Sequence, residues 1–283
     1  MSNTDTSAIN DLLPTIIGES KMFFNKTGVS KALVDNYVMI GGTLQIPKWD
    51  DTISVYAMTE GVPMGTSQAI TTSNATITAV KYGANTIVTD EAIKRARAVG
   101  NYDMVAKAGQ ILGLKAANKV NATVAGLFSG FSSGAGTIGS TETTLEAVMV
   151  GYSTVKAKGP LSEPFVILHP WHMHHLKANL AYPAATYPAS IPDASLPNWM
   201  PPSETINGVQ FYIDNQLTET GGGAYGAVLT KESIGLGFEW APDSQVEVVR
   251  IPQTGYEVSF SMSFGVIEVF DAGGYYIANK ASA

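Results

Sequence analysis

The chain has 283 residues, 45% of them hydrophobic, enough for one large or two ordinary domains with a sizeable core. The net charge is -7 with no run of Lys or Arg, and there is no cysteine. This composition excludes disulfides and thiolate metal sites and argues against a nucleic-acid reader, which needs a basic stripe, though not against enclosing nucleic acid without gripping it. Charged residues are only 14%, against roughly 25% in an ordinary soluble protein, which fits a surface largely covered by neighbours.

The opening residues, MSNTDTSAINDLLPTII, lack a basic n-region and an apolar h-region, so no signal peptide is predicted. No stretch approaches about 20 consecutive apolar residues, so no membrane span is predicted. Residues 1–40 read as a polar lead followed by mixed helix and extended arm. The helical spacing of SAINDLLPTIIGESKMFF is interrupted by Pro14 and Gly18, and Gly41-Gly42 breaks the chain. Two long strands follow, TLQIPKWDDTISVYAMT (43–59) and NATITAVKYGANTIVT (74–89), around a soft tip with two Gly, one Pro and many hydroxyls. The first would span about 55 Å at ~3.3 Å per residue. No segment before the next long helix supplies a third strand. A lone hairpin is marginal in water, so this arm is expected to lie on a second copy of the chain.

Thr89 or Asp90 caps a short predicted helix, DEAIKRARA, whose acidic first turn suits the helix dipole. A long helix is expected from about Tyr102 to Ser129. Val105, Gly109, Leu112, Ala116, Val120, Val124 and Leu127 recur at three- and four-residue spacing and form one stripe. FSGFSSGAGTIGST (128–141) reads as the best domain boundary. Thr143-x-x-Glu146 reads as a capping box for the helix TLEAVMVGYSTVKAK, stopped by Gly159-Pro160. The strand PFVIL (164–168), a helix from Pro170 to about Leu180 and a proline-rich loop come next. From Gly208 the pattern is β-rich, and EVSFSMSFGVIEVF reads as one long strand bent near Gly265.

This order resembles the major capsid protein of tailed bacteriophages, a fold shared with herpesvirus capsid floors and encapsulin compartments. TDEAIKRA (89–96) resembles the family's helix re-entering the peripheral domain, and FVILHPWHMHHL its strand-then-helix passage. INGVQFYIDNQL (206–217) resembles the strand before the final lobe, and IPQTGYEVSFSMSFGVIEVF (251–270) the closing strand pair. The resemblance implies an α+β capsid fold: an N-terminal arm (1–40), an extended hairpin loop (41–88), a peripheral domain (89–141 and 241–283) with a spine helix (101–129), and an axial domain (142–240).

It also implies a structural protein without enzymatic activity or cofactor. Copies would self-assemble as hexamers and pentamers into an icosahedral head shell around double-stranded DNA, without sequence-specific binding or membrane contact. The place would be the virion, after assembly in the host cytoplasm, with a portal and separate scaffold or cement proteins as further partners. Many relatives carry a cleavable scaffold before the arm; this chain starts almost directly in the arm. The alternatives are an encapsulin-like storage compartment and, from a different class, a metal-dependent hydrolase built on the histidine cluster.

The candidate inter-subunit contacts are Trp49, Tyr56, Met58, Glu60, Lys48 and Lys81. Trp49, Tyr56 and Met58 are large anchors on a strand with little core of its own, the residue type that dominates interfaces. Some relatives cross-link subunits through a Lys–Asn isopeptide bond, but no motif picks out Lys48 or Lys81, and both read as surface lysines. All four histidines fall in His169-Pro-Trp-His172-Met-His174-His175. On a helix His172 and His175 share a face while His174 points away, and zinc needs three or four convergent ligands. Histidines on an interfacial helix, titrating at about pH 6–7, are therefore favoured over a metal site. No phosphate-binding loop, nucleophile elbow or H-E-x-x-H occurs.

Overall fold

A computed structural model describes residues 20, 22, 24, 29–50, 60, 71–100, 104–158, 161–181, 204–206, 208–217, 219–240, 246–251 and 255–281. The chain enters through α1 (Val29–Leu33) and β1 (Asp35–Val38). Gly41 and Gly42, at φ 82° and 77°, turn it into β2 (Thr43–Asp50). β3 (Thr71–Thr78) returns antiparallel, with Thr43 opposite Thr78 and Asp50 opposite Thr71. Past Ala79 the chain continues as β4 (Val80–Thr89), α2 (Asp90–Gly100) and α3 (Met104–Ala125). Next come β5 (Gly134–Ala135), α4 (Leu145–Lys156), β6 (Phe165–Leu168) and α5 (Pro170–Ala181). The remainder is strand: β7 (Glu204–Ile206), β8 (Val209–Ile213), β9 (Glu219–Thr220), β10 (Gly223–Leu229), β11 (Ile234–Trp240), β12 (Val246–Ile251), β13 (Gly255–Glu268) and β14 (Gly274–Lys280).

A five-stranded sheet is organised on β13. β11 and β12 follow one another along one edge of it, and β4 pairs with the other through ten positions, from Thr89 opposite Gly255 to Val80 opposite Phe264. β1 closes the sheet in parallel on β11. A seven-stranded sheet runs β5-β14-β10-β6-β8-β7, with β9 added on β10. The expected α+β class is the observed one.

α3 packs its small-residue stripe against the five-stranded sheet. Leu112, Ala116, Val120 and Val124 are buried in one cluster with Val258, Phe260, Met262 and Phe264 of β13. The same cluster takes in Phe165 and Ile167 of β6 and Ala227 and Leu229 of β10, so one continuous core serves both sheets. The outer face of the seven-stranded sheet is sealed by α4 and α5, through Val148, Val155, Met173 and Leu176.

Several elements depart from the sequence reading. The second arm strand is two strands. Only β3 pairs with β2, while β4 supplies the third-strand partnership that the sequence hid, because its mate lies about 170 residues away in β13. The long helix stops at Ala125 rather than near Ser129. Gly126 is a poor helix former, and the chain tightens there into a 3₁₀ turn at Phe128–Gly130 that buries Phe128 and Phe131. Those two rings tie the start of residues 128–141 into the shared core. The cap of α4 is Thr144, whose hydroxyl accepts from Ala147 N at 3.2 Å, because Thr143 is buried against Asn279. β14, expected with the closing strands of the five-stranded sheet, lies between β5 and β10 in the other sheet. The proline-rich loop and the first 19 residues lie outside the described residues.

Candidate assembly site

The hairpin β2–β3 has one face made by residues directly opposite each other in the register: Leu44 with Ile77, Ile46 with Ala75, and Lys48 with Ser73. Ile77 is fully buried and Ala75 nearly so, while Gln45, Pro47, Asn74 and Thr76 on the other face are exposed. The buried face rests on the five-stranded sheet at three glycines. Gly237 stands opposite Gly265 across β11 and β13, and Gly235 is two residues along. A Cβ at Gly265 would overlap the carbonyl oxygen of Thr78 and stand 2.8 Å from Ile77. One at Gly237 would overlap the Met39 sulfur, and one at Gly235 would come within 3.2 Å of Ile46. The absent side chains form a seat that lets the hairpin lie flat on the sheet. The backbone hydrogen bond from Ala79 N to Gly42 O, 2.8 Å, closes its base.

Charge adds to this seat. Glu268, at the end of β13, is half-buried; burial pushes its carboxyl above the ordinary range, the neighbouring Asp271 pushes the same way, and the Lys48 cation opposes both. Asp271 in turn accepts from Ser132 N at 2.7 Å and from the Ser132 hydroxyl. Lys48 thus faces the body of its own subunit. Lys81 is on β4, exposed, with its ammonium 5.9 Å from the Trp240 ring, and is not brought near Lys48. Trp49 stands opposite Thr72; its side chain, and all of Tyr56 and Met58, lie outside the described residues. Glu60 is an exposed turn residue.

Two exposed apolar patches escaped the sequence reading. Val38 and Ile40, 84% and 91% exposed, stand at the foot of the hairpin. Ile87 and Ile111, 55% and 48% exposed, flank a groove of about 210 Å³ between β4, α2 and α3, lined also by Val88, Ala92, Met104 and Ala108. Both belong to segments whose alternation or helical spacing looks amphipathic, and only the outline of the fold shows which apolar positions stay uncovered.

α5 carries His172, His174 and His175 as its spacing predicts, and His169 immediately precedes it. His169, His172 and His175 are buried and His174 is exposed. His169 Nε2 lies 3.2 Å from a Glu219 carboxylate oxygen, and His172 Nε2 lies 3.4 Å from the carbonyl of Asn279. Glu219 reaches this cluster through the β9–β10 turn. Among the described residues no group of three or more His, Cys, Asp or Glu is placed to hold a metal ion. Burial pushes the His172 imidazole down to about 4, and His169 is lowered for the same reason against the pull of Glu219 and Asp214. An unfolded imidazole titrates near 6.5, so His172 stabilises the fold fully above that pH and loses its contribution as the pH falls through the window down to about 4. The full loss is about 3 kcal/mol. Thermal melting should therefore drop between pH 7 and 4, and His172→Gln should flatten that drop; an unaltered profile would show that another group governs it.

A family model described as phage capsid protein matches residues 73–277. The chain belongs to the phage capsid protein family. Solved capsids share its fold throughout. The cyanophage P-SCSP1u capsid is 14% identical, with a TM-score of 0.64 over 91% of this chain and 90% of that one. The head of Helicobacter pylori bacteriophage KHP40 is 8% identical, with a TM-score of 0.63 over 92% and 90%. Microbacterium phage Oxtober96 is 12% identical, with a TM-score of 0.61 over 90% and 92%. No curated protein matches the sequence. Family and fold are those of structural capsid proteins, not enzymes, and place the chain in a virion shell built of many copies.

Proposed function

We propose that copies of this chain close, as hexamers and pentamers, into the icosahedral head of a tailed phage around its double-stranded DNA. The observation that carries this reading is the family match over residues 73–277 together with a hairpin whose described base, Thr43–Asp50 with Thr71–Thr78, is seated on the subunit's own five-stranded sheet. In this reading the five-stranded sheet and α3 form the peripheral domain with its spine helix. The seven-stranded sheet with α4 and α5 forms the axial domain near the capsomer centre. The outer part of the hairpin, with Trp49, Tyr56, Met58 and Glu60, reaches a neighbouring copy, and Lys81, Val38, Ile40 and the Ile87–Ile111 groove receive neighbours. Each contact is modest, and closed symmetry multiplies such contacts into a stable whole. Assembly in the host cytoplasm, a portal and separate scaffold or cement proteins complete the proposal.

The test removes the hairpin's outer part. Asp50 and Thr71 are directly opposite, so a two-residue Asn-Gly turn can replace residues 51–70 with the strand pairing kept. The shortened protein should be soluble and folded, with the melting temperature of the parent, and should form no closed shells by electron microscopy. Normal particles from this variant would remove the hairpin from assembly. Parent particles grown in infected cells should contain double-stranded DNA.

A further inference from the structure

The shell reading uses nothing of the histidine row, yet the row is built into the fold. His169, immediately before α5, and His172 and His175 within it follow one another at three-residue intervals on the side that meets the seven-stranded sheet, and all three are nine-tenths or more buried. The His169 and His172 rings stand 5.9 Å apart, and the exposed His174 ring is 5.9 Å from His175. The helix meets the sheet at Gly226 of β10, where a Cβ would stand 3.4 Å from His172 Nδ1. That nitrogen is buried without a hydrogen-bond partner.

The groups facing the row are of two kinds. Glu219 on β9 and Asp214 after β8 are acidic and lie beside His169. Around His172 stand His169, His175 and the Asn279 carbonyl of β14, with no carboxylate among the described residues. Lys280 follows Asn279 in β14, and Lys177 follows on α5 itself. A proton on His169 therefore meets counter-charge, whereas a second proton on His172 meets an imidazolium neighbour and a buried nitrogen with nothing to accept its hydrogen bond. An unpaired buried charge is expelled rather than held.

We propose that the buried imidazole row of α5 is an acid-release clasp, which seats the helix on the seven-stranded sheet while neutral and releases α5 and the end of β14 when it takes up protons. The opening is local, because α3 and β13 are held by an apolar cluster that carries no carboxylate, imidazole or amine. The clasp belongs to the single subunit and does not depend on shell formation.

Amide hydrogen exchange on the full chain, corrected for the intrinsic pH dependence of exchange, tests it. Between pH 7.5 and 4.5, segments 170–181 and 276–281 should lose protection at least tenfold while α3 and β13 keep theirs. Constant protection in α5, or an equal loss throughout the chain, overturns the clasp. Glu219→Gln, at an exposed side chain, removes the counter-charge that the closed state offers to His169 and should move the opening to higher pH. A shift to lower pH, or no pH dependence at all, would make the carboxylate the trigger and overturn the clasp. His172→Gln should move the opening to lower pH, and an unmoved midpoint in a folded His172→Gln protein overturns it as well. If that variant does not fold, the parent and Glu219→Gln profiles decide.

Discussion

Replacing Val120 with aspartate is expected to leave no folded, soluble subunit. Val120 is fully buried in the C-terminal half of α3, in the cluster that joins β13 to the seven-stranded sheet. Its own burial contributes about 1.5–3 kcal/mol. The aspartate forfeits that and adds the several kcal/mol of desolvating a carboxylate without a partner. Against a total stability of about 5–15 kcal/mol the sum is decisive, the more so because one core serves both sheets. Lys115→Asp, on the exposed side of the same helix, should stay within about 0.5 kcal/mol of the parent. Soluble yield and the far-UV melting curve measure both. A Val120→Asp protein that melts like the parent would put the stripe of α3 out of phase with β13.

Gly265→Val should separate folding from assembly. The new side chain would meet the Thr78 carbonyl and Ile77, the residues that lay the hairpin on its seat just before the chain passes from β3 to β4. Overpacking of this kind costs about 1–3 kcal/mol, which lowers the melting temperature without abolishing the fold. The hairpin can relieve the overlap only by lifting off the sheet, and its far end then no longer points where a neighbouring copy would meet it. The expected result is a soluble subunit with a lowered melting temperature and few or no closed shells. Gly126→Ala, whose Cβ would meet only ordinary contacts at 3.4 Å within its own helix end, is the matched control and should assemble normally. Normal shells from Gly265→Val would show that the seat does not set the direction of the hairpin.

What could be read without coordinates was whatever depends on neighbours in sequence. The spacing of Leu112, Ala116, Val120 and Val124 specifies a buried helix face, and the alternation in 257–270 specifies a long strand, because each period reflects a single local geometry. The split of His172 and His175 from His174 follows from the same rule. The order of these elements was enough to identify the capsid family.

What depended on distant residues had to come from the tertiary structure. Strand pairing carries no mark in the strand itself, so Val80–Thr89 looked like an arm until β13 was found beside it, and β14 looked like part of one sheet while pairing in the other. The glycines of IGLGFEW were visible, but their purpose lies in Ile46, Met39 and Ile77, which reach them only when the hairpin folds over. The acid beside His169 lies 50 residues away and arrives through the β9–β10 turn. Local geometry is a property of the backbone and is written in each segment. Which segments touch is settled by burying all the apolar faces at once, and that competition is resolved only in the folded chain.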